Sequence, residues 1–365
     1  MSAANTSRRR YRMIQWATGN VGTHALRYII EHPDLDLVGL RVFSPGKVGV
    51  DAGDIAGTAP TGVRATMDVA ALLALEADCV CYCPLATTTG DPSAAIDEVC
   101  ALLESGKNVV TPGLASYMYP PVLGAMGTEE NLRRIQAACI KGNAAIHIAG
   151  ASPGFVHDWA PLALSKAARR IDKIELSEVV SLEKLPTRAI LCDYMGFGQP
   201  PGADPLFFRH LANPGTNFFR LPLRMLADHT GLELEDVTWE REEVLAEHDF
   251  TSAAGAFPAG SVAATRGVLT GWGKGRPAIT MTFVWWLLES AAKDWPTKDG
   301  WGIKIIGDPT IEAEFTVSTQ NGAGRAVSIL SAAVPLNAVR GVCEARTPGI
   351  KSHFDLPFDG GGYWL

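Results

Sequence analysis

The first 150 residues alternate between short apolar runs and longer segments whose apolar positions have helical spacing. The apolar runs predict buried strands at residues 13–16, 37–43, 78–83, 108–111 and 144–149. The segments between them predict helices at residues 24–31, 67–75, 91–105 and 129–141. Strands that alternate with helices in this way are typical of a doubly wound α/β domain with a parallel sheet.

After residue 155 the apolar positions recur at every second residue, which is typical of strands with one covered and one exposed face. Such strands are predicted at residues 173–181, 237–244, 262–269 and 278–287, with a hairpin at 301–306 and 310–317. The second domain is therefore predicted to be mainly an antiparallel sheet. Residues 324–342 return to helical spacing, and we expect this helix to pack on the first domain, with a loop at 347–350 near the ligand crevice.

The turn after the first strand carries the strongest motif of the chain. Ala17-x-Gly19-x-x-Gly22 is the dinucleotide-binding pattern with its first glycine replaced, and it opens a helix. Alanine suits the tight turn while φ stays negative, Gly19 lets backbone approach a pyrophosphate, and Gly22 lets helix pack on strand. The expected cofactor-binding residues are therefore Thr18, Gly19, Asn20, Val21 and Gly22. Small residues also end strands for purely steric reasons, which is the alternative interpretation.

The end of the second strand bears on the choice of cofactor. It reads Arg41-Val42-Phe43-Ser44, where a site specific for NAD would place an acid against the ribose 2′-hydroxyl. Ser44 and Lys47 are the expected partners of a 2′-phosphate, so NADP is the predicted cofactor, with NAD possible. The alternative is a surface loop with an incidental lysine. Further cofactor contacts are expected at two strand ends that face the crevice, at Pro84 and Thr87 after the third strand and at Thr111 of the fourth.

These patterns divide the chain into four segments. Residues 1–10 are predicted to be a disordered tail, 11–155 a dinucleotide-binding Rossmann domain, 156–323 an α+β domain for the substrate and the dimer contact, and 324–365 a C-terminal helix and loop that return to the first domain.

Composition excludes several classes of protein. With 365 residues, 47% of them hydrophobic and 19% charged, the chain can bury the cores of two domains. The net charge of −7 argues against nucleic acid as a partner. We see no apolar run of about 18 residues, so no membrane contact and a cytoplasmic location are expected. The seven cysteines form no C-x-x-C pair, and Cys79, Cys81 and Cys83 favour a buried strand over a metal site.

Several motifs together resemble a known family. They are the turn from Gln15 to Gly22, Ser44 with Lys47-Val48-Gly49, Gly150-x-x-Pro153-Gly154-Phe155, and Asn337-Ala338-Val339 with Thr347-Pro348-Gly349-Ile350. Nearly the whole chain is similar to the dihydrodipicolinate-reductase-like oxidoreductases, most closely to the branch of 2,4-diaminopentanoate dehydrogenase and the native amine dehydrogenases. The resemblance implies a Rossmann domain, a C-terminal α+β domain, and hydride transfer between NAD(P)H and a C=N carbon.

Two departures from that family change the expected chemistry. The chain has no His-His pair, which the dihydrodipicolinate reductases proper carry near their substrate. The amine dehydrogenases carry a glutamate before a Tyr-Pro in the loop after the fifth strand, and residues 112–121 here contain no acid. We therefore expect reduction of preformed imines or carbonyls to exceed amination with free ammonia. Glu178 and Glu183 are the nearest substitute acids, although a solvated strand face is the interpretation that we favour for both.

Candidate catalytic residues are Tyr117, Tyr119 and His157. Either phenol can donate a proton to a developing alkoxide or amine, and His157 can relay one. Packing of the tyrosines beside Pro120 and a structural histidine are the alternatives. The resemblance also suggests that Asn337 bonds the nicotinamide carboxamide.

The expected activity is hydride transfer to or from the C=N or C=O carbon of a small, largely apolar substrate. A sensor that binds NADP(H) without turnover is the alternative function, because fold alone does not settle function. Trp285 and Trp286 are adjacent and predicted to point to opposite faces of a strand. A homodimer through the C-terminal sheet is expected, since its strands carry many tryptophans.

Overall fold

The computed structural model describes residues 9–84, 92–119, 129–212, 217–318, 326–358 and 360–364. These form two compact units. The first unit holds the described residues up to 119, then 129–151, and those from 328 onward. The second unit holds the described residues from 152 to 327. The second unit is thus an insertion between two parts of the first.

A parallel six-stranded sheet forms the centre of the first unit. Its strands are β1 (Tyr11–Trp16), β2 (Leu35–Arg41), β3 (Cys79–Tyr82), β4 (Asn108–Thr111), β5 (Ala145–Ile148) and, in chain order, β14 (Gly349–Lys351). The strand order is β14-β5-β4-β3-β1-β2. The continuous apolar runs of the sequence are explained by burial, since every residue of β3 and β5 is buried.

Helices follow the strands of this sheet, as the spacing predicts. They are α1 (Asn20–Glu31), α2 (Ala52–Ala56), α3 (Val69–Ala74), α4 (Ser93–Glu104) and α5 (Glu129–Gly142). Helix α1 buries one face, which consists of Gly22, Ala25, Leu26 and Ile29. The side chains of Asp51 and Asp68 cap α2 and α3 by accepting backbone N–H groups.

The C-terminal segment completes the first unit. Its helices are α9 (Ala326–Asn337) and α10 (Val339–Cys343), and Leu336, Val339 and Val342 lie in one core cluster with Tyr11 and Met13 of β1. The predicted loop at 347–350 is wrong in part, because Gly349–Lys351 pairs with β5 as the edge strand of the sheet.

One segment in the described part of the chain, Ala326–Cys343, is long and apolar enough to cross a membrane by length and composition, with a mean hydropathy of 1.5. The expectation that no apolar run reaches this length is therefore wrong. The core helix of a globular unit meets the same criterion. We interpret helices α9 and α10 of this segment in the same way, because Ala332, Leu336, Val339 and Val342 belong to the core cluster around β1.

The second unit is built on a mixed six-stranded sheet. Its strands are β6 (Arg170–Ser181), β7 (Asp236–Leu245), β10 (Val262–Gly273), β11 (Arg276–Trp286), β12 (Gly300–Asp308) and β13 (Ile311–Phe315). The strand order is β13-β12-β6-β11-β10-β7. Strands β6 and β11 are parallel and the other neighbours are antiparallel. A small hairpin of β8 (Phe250–Ser252) and β9 (Gly255–Phe257) and helices α6 (Trp159–Ser165), α7 (Leu206–Ala212) and α8 (Arg220–Thr230) complete the unit.

The two faces of this sheet differ in polarity. On β6 the buried residues Ile174, Leu176 and Glu178 share one face, whereas Glu175 and Ser177 lie on the other, half-buried face. Trp285 and Trp286 point to opposite faces, as predicted, and both are buried. Trp285 and Trp301 lie on the face of Glu178, whose oxygens they bond. These two tryptophans therefore lie on the covered face of the sheet. The open face, which carries Glu175 and Ser177, does not contain them, so the tryptophan content of the strands is not a reason to expect a dimer there.

Candidate functional site

The turn between β1 and α1 has the geometry of a phosphate cradle. Gly19 precedes the first turn of α1, and no side chain in the described part of the chain caps that turn. A Cβ on Gly19 would meet no atom within 4 Å, so neither packing nor its φ of −75° requires glycine there. A Cβ on Gly22 would lie 2.3 Å from the carbonyl oxygen of Ala17. Gly22 is needed for packing, and Gly19 leaves space beside free helix N–H groups, which fits a pyrophosphate.

Ala17 departs from the expected conformation. Its φ is +77°, in the left-handed region, whereas the sequence interpretation required a negative φ. An L-residue held there costs about 1–2 kcal/mol. The turn stays in place because the Ala17 N–H donates to the Arg41 carbonyl and the side chain of Gln15 donates to the Ala17 carbonyl at 2.8 Å. The alanine therefore adopts the conformation that the missing glycine would adopt without strain.

Lys47 links the end of the second strand to this turn. Its Nζ donates to both the carbonyl and the Oγ1 of Thr18, each at 3.0 Å, and it is half-buried. Ser44 is exposed beside it. Ser44 and Lys47, predicted together as partners of a 2′-phosphate, therefore lie around one corner of the cradle with Thr18 of the turn motif.

Arg41 belongs to the same corner and was missed as a site residue. Its side chain is buried, and the guanidinium carbon lies 4.5 Å from the ring centroid of Phe43. The Nε atom has no hydrogen-bond partner among the described residues. The strand-end sequence contained the signal, since an arginine there is one way in which this fold accommodates a 2′-phosphate.

The strand-end residues have different surroundings. Thr111 is fully buried, and its Oγ1 accepts the Gly113 N–H at 3.0 Å, so its hydroxyl shapes the turn after β4. Pro84 is half-buried just after β3. Thr87 lies outside the described residues.

Tyr117 and Tyr119 are both buried. The Tyr117 hydroxyl accepts a hydrogen bond from the Asn131 side chain at 3.0 Å. Burial raises the pKa of Tyr117, against the lowering effect of that hydrogen bond. The phenol is therefore a poorer proton source than in water. The described loop residues 112–119 contain no carboxylate that could replace the missing glutamate.

Asn337, which the resemblance suggested as a partner of the nicotinamide carboxamide, bonds two other parts of the first unit. Its side-chain oxygen accepts from the Tyr28 hydroxyl at 2.6 Å and from the Gly362 N–H at 2.9 Å. Tyr28 lies about two turns along α1 from the cradle. The Asn337 oxygen therefore holds the C-terminal segment against α1, away from the phosphate turn, and its contact with the nicotinamide stays a prediction.

In the second unit the turn at 152–158 positions a buried histidine. The Asp158 carboxylate accepts the N–H groups of Gly154 and Trp159, at 2.7 and 2.6 Å, which holds the turn. His157 is fully buried, and its Nδ1 lies 2.6 Å from the Oγ of Ser152. Its ring packs edge-on against Phe283, with the centroids 5.8 Å apart. The half-buried Ser152 is therefore the more accessible end of the pair.

Glu178 is a buried carboxylate beside this pair. Its oxygens accept the indole N–H groups of Trp285 and Trp301, each at 2.9 Å. Each carboxylate oxygen therefore accepts one hydrogen bond from a neutral donor. The solvated strand face expected for Glu178 is wrong, because this residue lies on the covered face of the sheet and is 8% exposed. Glu183 is exposed, as that interpretation predicts.

Two opposing effects act on His157. Burial lowers its pKa, whereas the charges of Glu178 and Asp158 and the backbone of Ser177 act to raise it. Burial dominates, so the imidazole is neutral near pH 7. A neutral imidazole accepts a proton, and a nearby carboxylate stabilises the cation that results.

Comparison with known proteins shows the family of this chain. The family model for the 2,4-diaminopentanoate dehydrogenase C-terminal domain matches residues 155–361. The chain belongs to this dehydrogenase family. An amine dehydrogenase from Streptomyces virginiae is 30% identical over 355 residues, which are 94% of this chain and 95% of that protein. The resemblance inferred from the motifs is confirmed, and this family member is an NAD(P)-dependent dehydrogenase. The alternative of a sensor without turnover is not supported.

Solved structures confirm the fold. An amine dehydrogenase from Mycobacterium smegmatis has a TM-score of 0.73 at 19% identity and covers 95% of this chain and 96% of that one. GenD2 from gentamicin A biosynthesis, in complex with NAD, has a TM-score of 0.50 at 15% identity, over 91% of this chain and 86% of that one. The predicted Rossmann-type sheet with a second α+β domain is therefore correct.

Proposed function

We propose that this dehydrogenase exchanges hydride between NADP(H) and the C=N or C=O carbon of a small, largely apolar amine precursor. The observation that carries the proposal is the family match across the second unit, where His157 and Glu178 lie among aromatic side chains. The amine dehydrogenase at 30% identity supports an amine or imine as the reacting group. A cytoplasmic location and a small-molecule partner remain part of the proposal.

A nicotinamide dinucleotide fits the residues of the first unit. The space over Gly19 and the uncapped start of α1 would hold the pyrophosphate, with Ser44, Lys47 and Arg41 at the ribose. When bound, this cofactor supplies or accepts the hydride. The protein's own part is to exclude water, orient the two reactants and move one proton.

We expect Lys47→Ala to weaken NADP(H) binding about tenfold and to leave NAD(H) affinity within about twofold. A phosphate contact of this kind contributes about 1.4 kcal/mol, and only NADP(H) carries the 2′-phosphate. Titration of both cofactors by calorimetry provides the measurement. Lys298→Ala, an exposed lysine of the second unit, is the matched control. Equal affinity of the wild-type protein for NAD(H) and NADP(H) would reject the preference.

We expect the wild-type protein to reduce a cyclic imine at least about tenfold faster than it aminates a ketone with ammonium. Amination adds deprotonation of ammonium and proton transfers through a carbinolamine, and a preformed imine needs none of these steps. The initial rate of cofactor oxidation is measured with a cyclic imine and with a ketone plus ammonium, where the ketone has the same carbon skeleton as the imine. Amination as fast as imine reduction would contradict the expectation.

We also propose a homodimer through the open face of the second unit's sheet. That face carries polar, half-buried side chains such as Glu175, Ser177 and Thr282, next to the buried Trp286. A broad half-covered sheet face is a suitable surface for a second copy. Sedimentation equilibrium at micromolar concentration should give twice the chain mass of 38.9 kDa. A monomer at that concentration would exclude the dimer.

A further inference from the structure

We propose that Ser152 and His157 form a proton relay, which deprotonates either the ammonium group of an amine substrate or the ammonium ion. Glu178 stabilises the positive charge that the relay then carries. This inference rests on the proposed function, because it assigns the base that amine chemistry requires. The relay takes the place of the glutamate that is absent from residues 112–121.

Geometry supports the pair first. The 2.6 Å separation of Ser152 Oγ from His157 Nδ1 is that of a strong hydrogen bond, and the turn that holds it is fixed by the buried Asp158 carboxylate. Ser152 is half-buried, whereas His157 is fully buried. A proton can therefore enter at the hydroxyl and be held at the ring, out of contact with bulk water.

The position of Ser152 in the chain supports contact with substrate. It follows the last residue of β5 by four positions. In parallel sheets with flanking helices, ligands bind beyond the carboxyl ends of the strands. The hydroxyl thus belongs to the segment from which this fold draws its ligand contacts.

The surroundings of the ring support the role of Glu178. The ring of His157 is fully buried, and Phe283 of β11 packs edge-on against it. The charged groups that act on the ring are Glu178 of β6 and Asp158 of its own turn. In the described part of the chain Glu178 forms no ion pair, since its bonds go to two neutral indoles. A proton on His157 would give this buried carboxylate a cationic neighbour.

The proposed step is a proton transfer and balances as such. One N–H bond of the ammonium group breaks, its electron pair stays on nitrogen, and the proton passes to Ser152 Oγ while the Ser152 O–H proton passes to His157 Nδ1. The amine becomes neutral and the imidazole becomes imidazolium, with no change in oxidation state. The imidazolium returns its proton by the same route when a neutral amine product leaves as ammonium.

A measurement without cofactor tests the pair. In the full-length protein, the imidazole ¹⁵N resonances of His157 are assigned by their loss in His157→Gln. Ser152→Ala should shift the Nδ1 resonance, and Glu178→Gln should lower the pKa of His157. The exposed Glu183→Gln is the matched control and should change neither. Unchanged His157 resonances in Ser152→Ala would overturn the relay, and thermal melting of each variant establishes that it is folded.

Kinetics separate the relay from the proposed function. Ser152→Ala should slow reductive amination about 100-fold and slow reduction of a preformed N-methyl cyclic iminium less than about threefold, because the iminium needs no base. Its remaining amination rate should rise with pH in proportion to free ammonia, and Ser152→Thr should recover the rate. Ser165→Ala, on α6 with its hydroxyl bonded to Leu162, is the matched control.

Each outcome has one meaning. An equal loss of amination and iminium reduction in Ser152→Ala would show that Ser152 is structural and would overturn the relay. If the wild-type protein transfers hydride to neither substrate, the proposed function fails, and the His157 resonances then decide alone whether the pair exists.

Discussion

Gly19→Val should weaken binding of the nicotinamide cofactor about 100-fold, equivalent to about 2.7 kcal/mol, and leave the free energy of unfolding of the cofactor-free protein within about 1 kcal/mol of wild type. A Cβ at Gly19 meets no protein atom within 4 Å, and the backbone there is one that valine can adopt. The added side chain is expected to take up the open space over the uncapped helix N–H groups. Cofactor titration and denaturant unfolding of the same preparation measure the two effects.

Gly22→Ala is the contrasting variant. Its Cβ would lie 2.3 Å from the backbone oxygen of Ala17, so either the strand or the helix must move. This overpacking should cost on the order of 2–3 kcal/mol of stability before any cofactor is added.

Unimpaired cofactor binding by Gly19→Val would mean that the open space at Gly19 holds no part of the dinucleotide.

Acid should destabilise the protein through His147. This histidine of β5 is buried, its Nδ1 bonds the Lys351 carbonyl of β14 at 2.8 Å, and burial followed by the charge of His353 lowers its pKa to about 3. The unfolded chain binds the proton with a pKa of about 6.5. The contribution to stability is therefore fully present above about pH 6.5 and is lost as pH falls toward 3. The loss should reach about 2 kcal/mol at about pH 5 and on the order of 4 kcal/mol near pH 3.

The difference between variants isolates this term from other titrating groups. His147→Gln keeps an N–H donor for the Lys351 carbonyl and does not titrate, so its stability should depend less steeply on pH between about 6.5 and 4. His248→Gln, at an exposed position, should retain the wild-type slope. Denaturant unfolding at each pH gives the slopes, and parallel curves for wild type and His147→Gln would refute the assignment.

The elements were predictable where periodicity reported burial directly. Strand β4 has the predicted bounds, and β5 and β6 agree within a few residues, because a buried parallel strand is continuously apolar and a half-covered one alternates. Strand β14 was missed because three residues, Gly349–Lys351, are too short for a pattern and depend on pairing with β5. Its position at the sheet edge depends on tertiary contacts, which the local sequence does not reveal.

Site residues were predictable where the motif needs room that only glycine leaves. Gly22 could be assigned because a Cβ there would collide with the Ala17 carbonyl oxygen, and Gly19 because a bound pyrophosphate needs the open space beside it. Glu178 could not be, because a glutamate on an alternating strand is ordinarily solvated, and its burial depends on Trp285 and Trp301 from two other strands. The Ser152–His157 contact likewise depends on a turn whose curvature the spacing alone does not reveal.

The return of the C-terminal helices to the first unit affects how the chain is made. Leu336, Val339 and Val342 pack around β1, although more than three hundred residues of synthesis separate them from it. The described residues of the second unit all lie between 152 and 327 and can fold as they leave the ribosome, whereas the sheet of the first unit lacks its edge strand and part of its core until residues 336–351 emerge. Translation therefore completes the dinucleotide-binding unit last, and a nascent chain that is released early carries a finished insertion in an unfinished host.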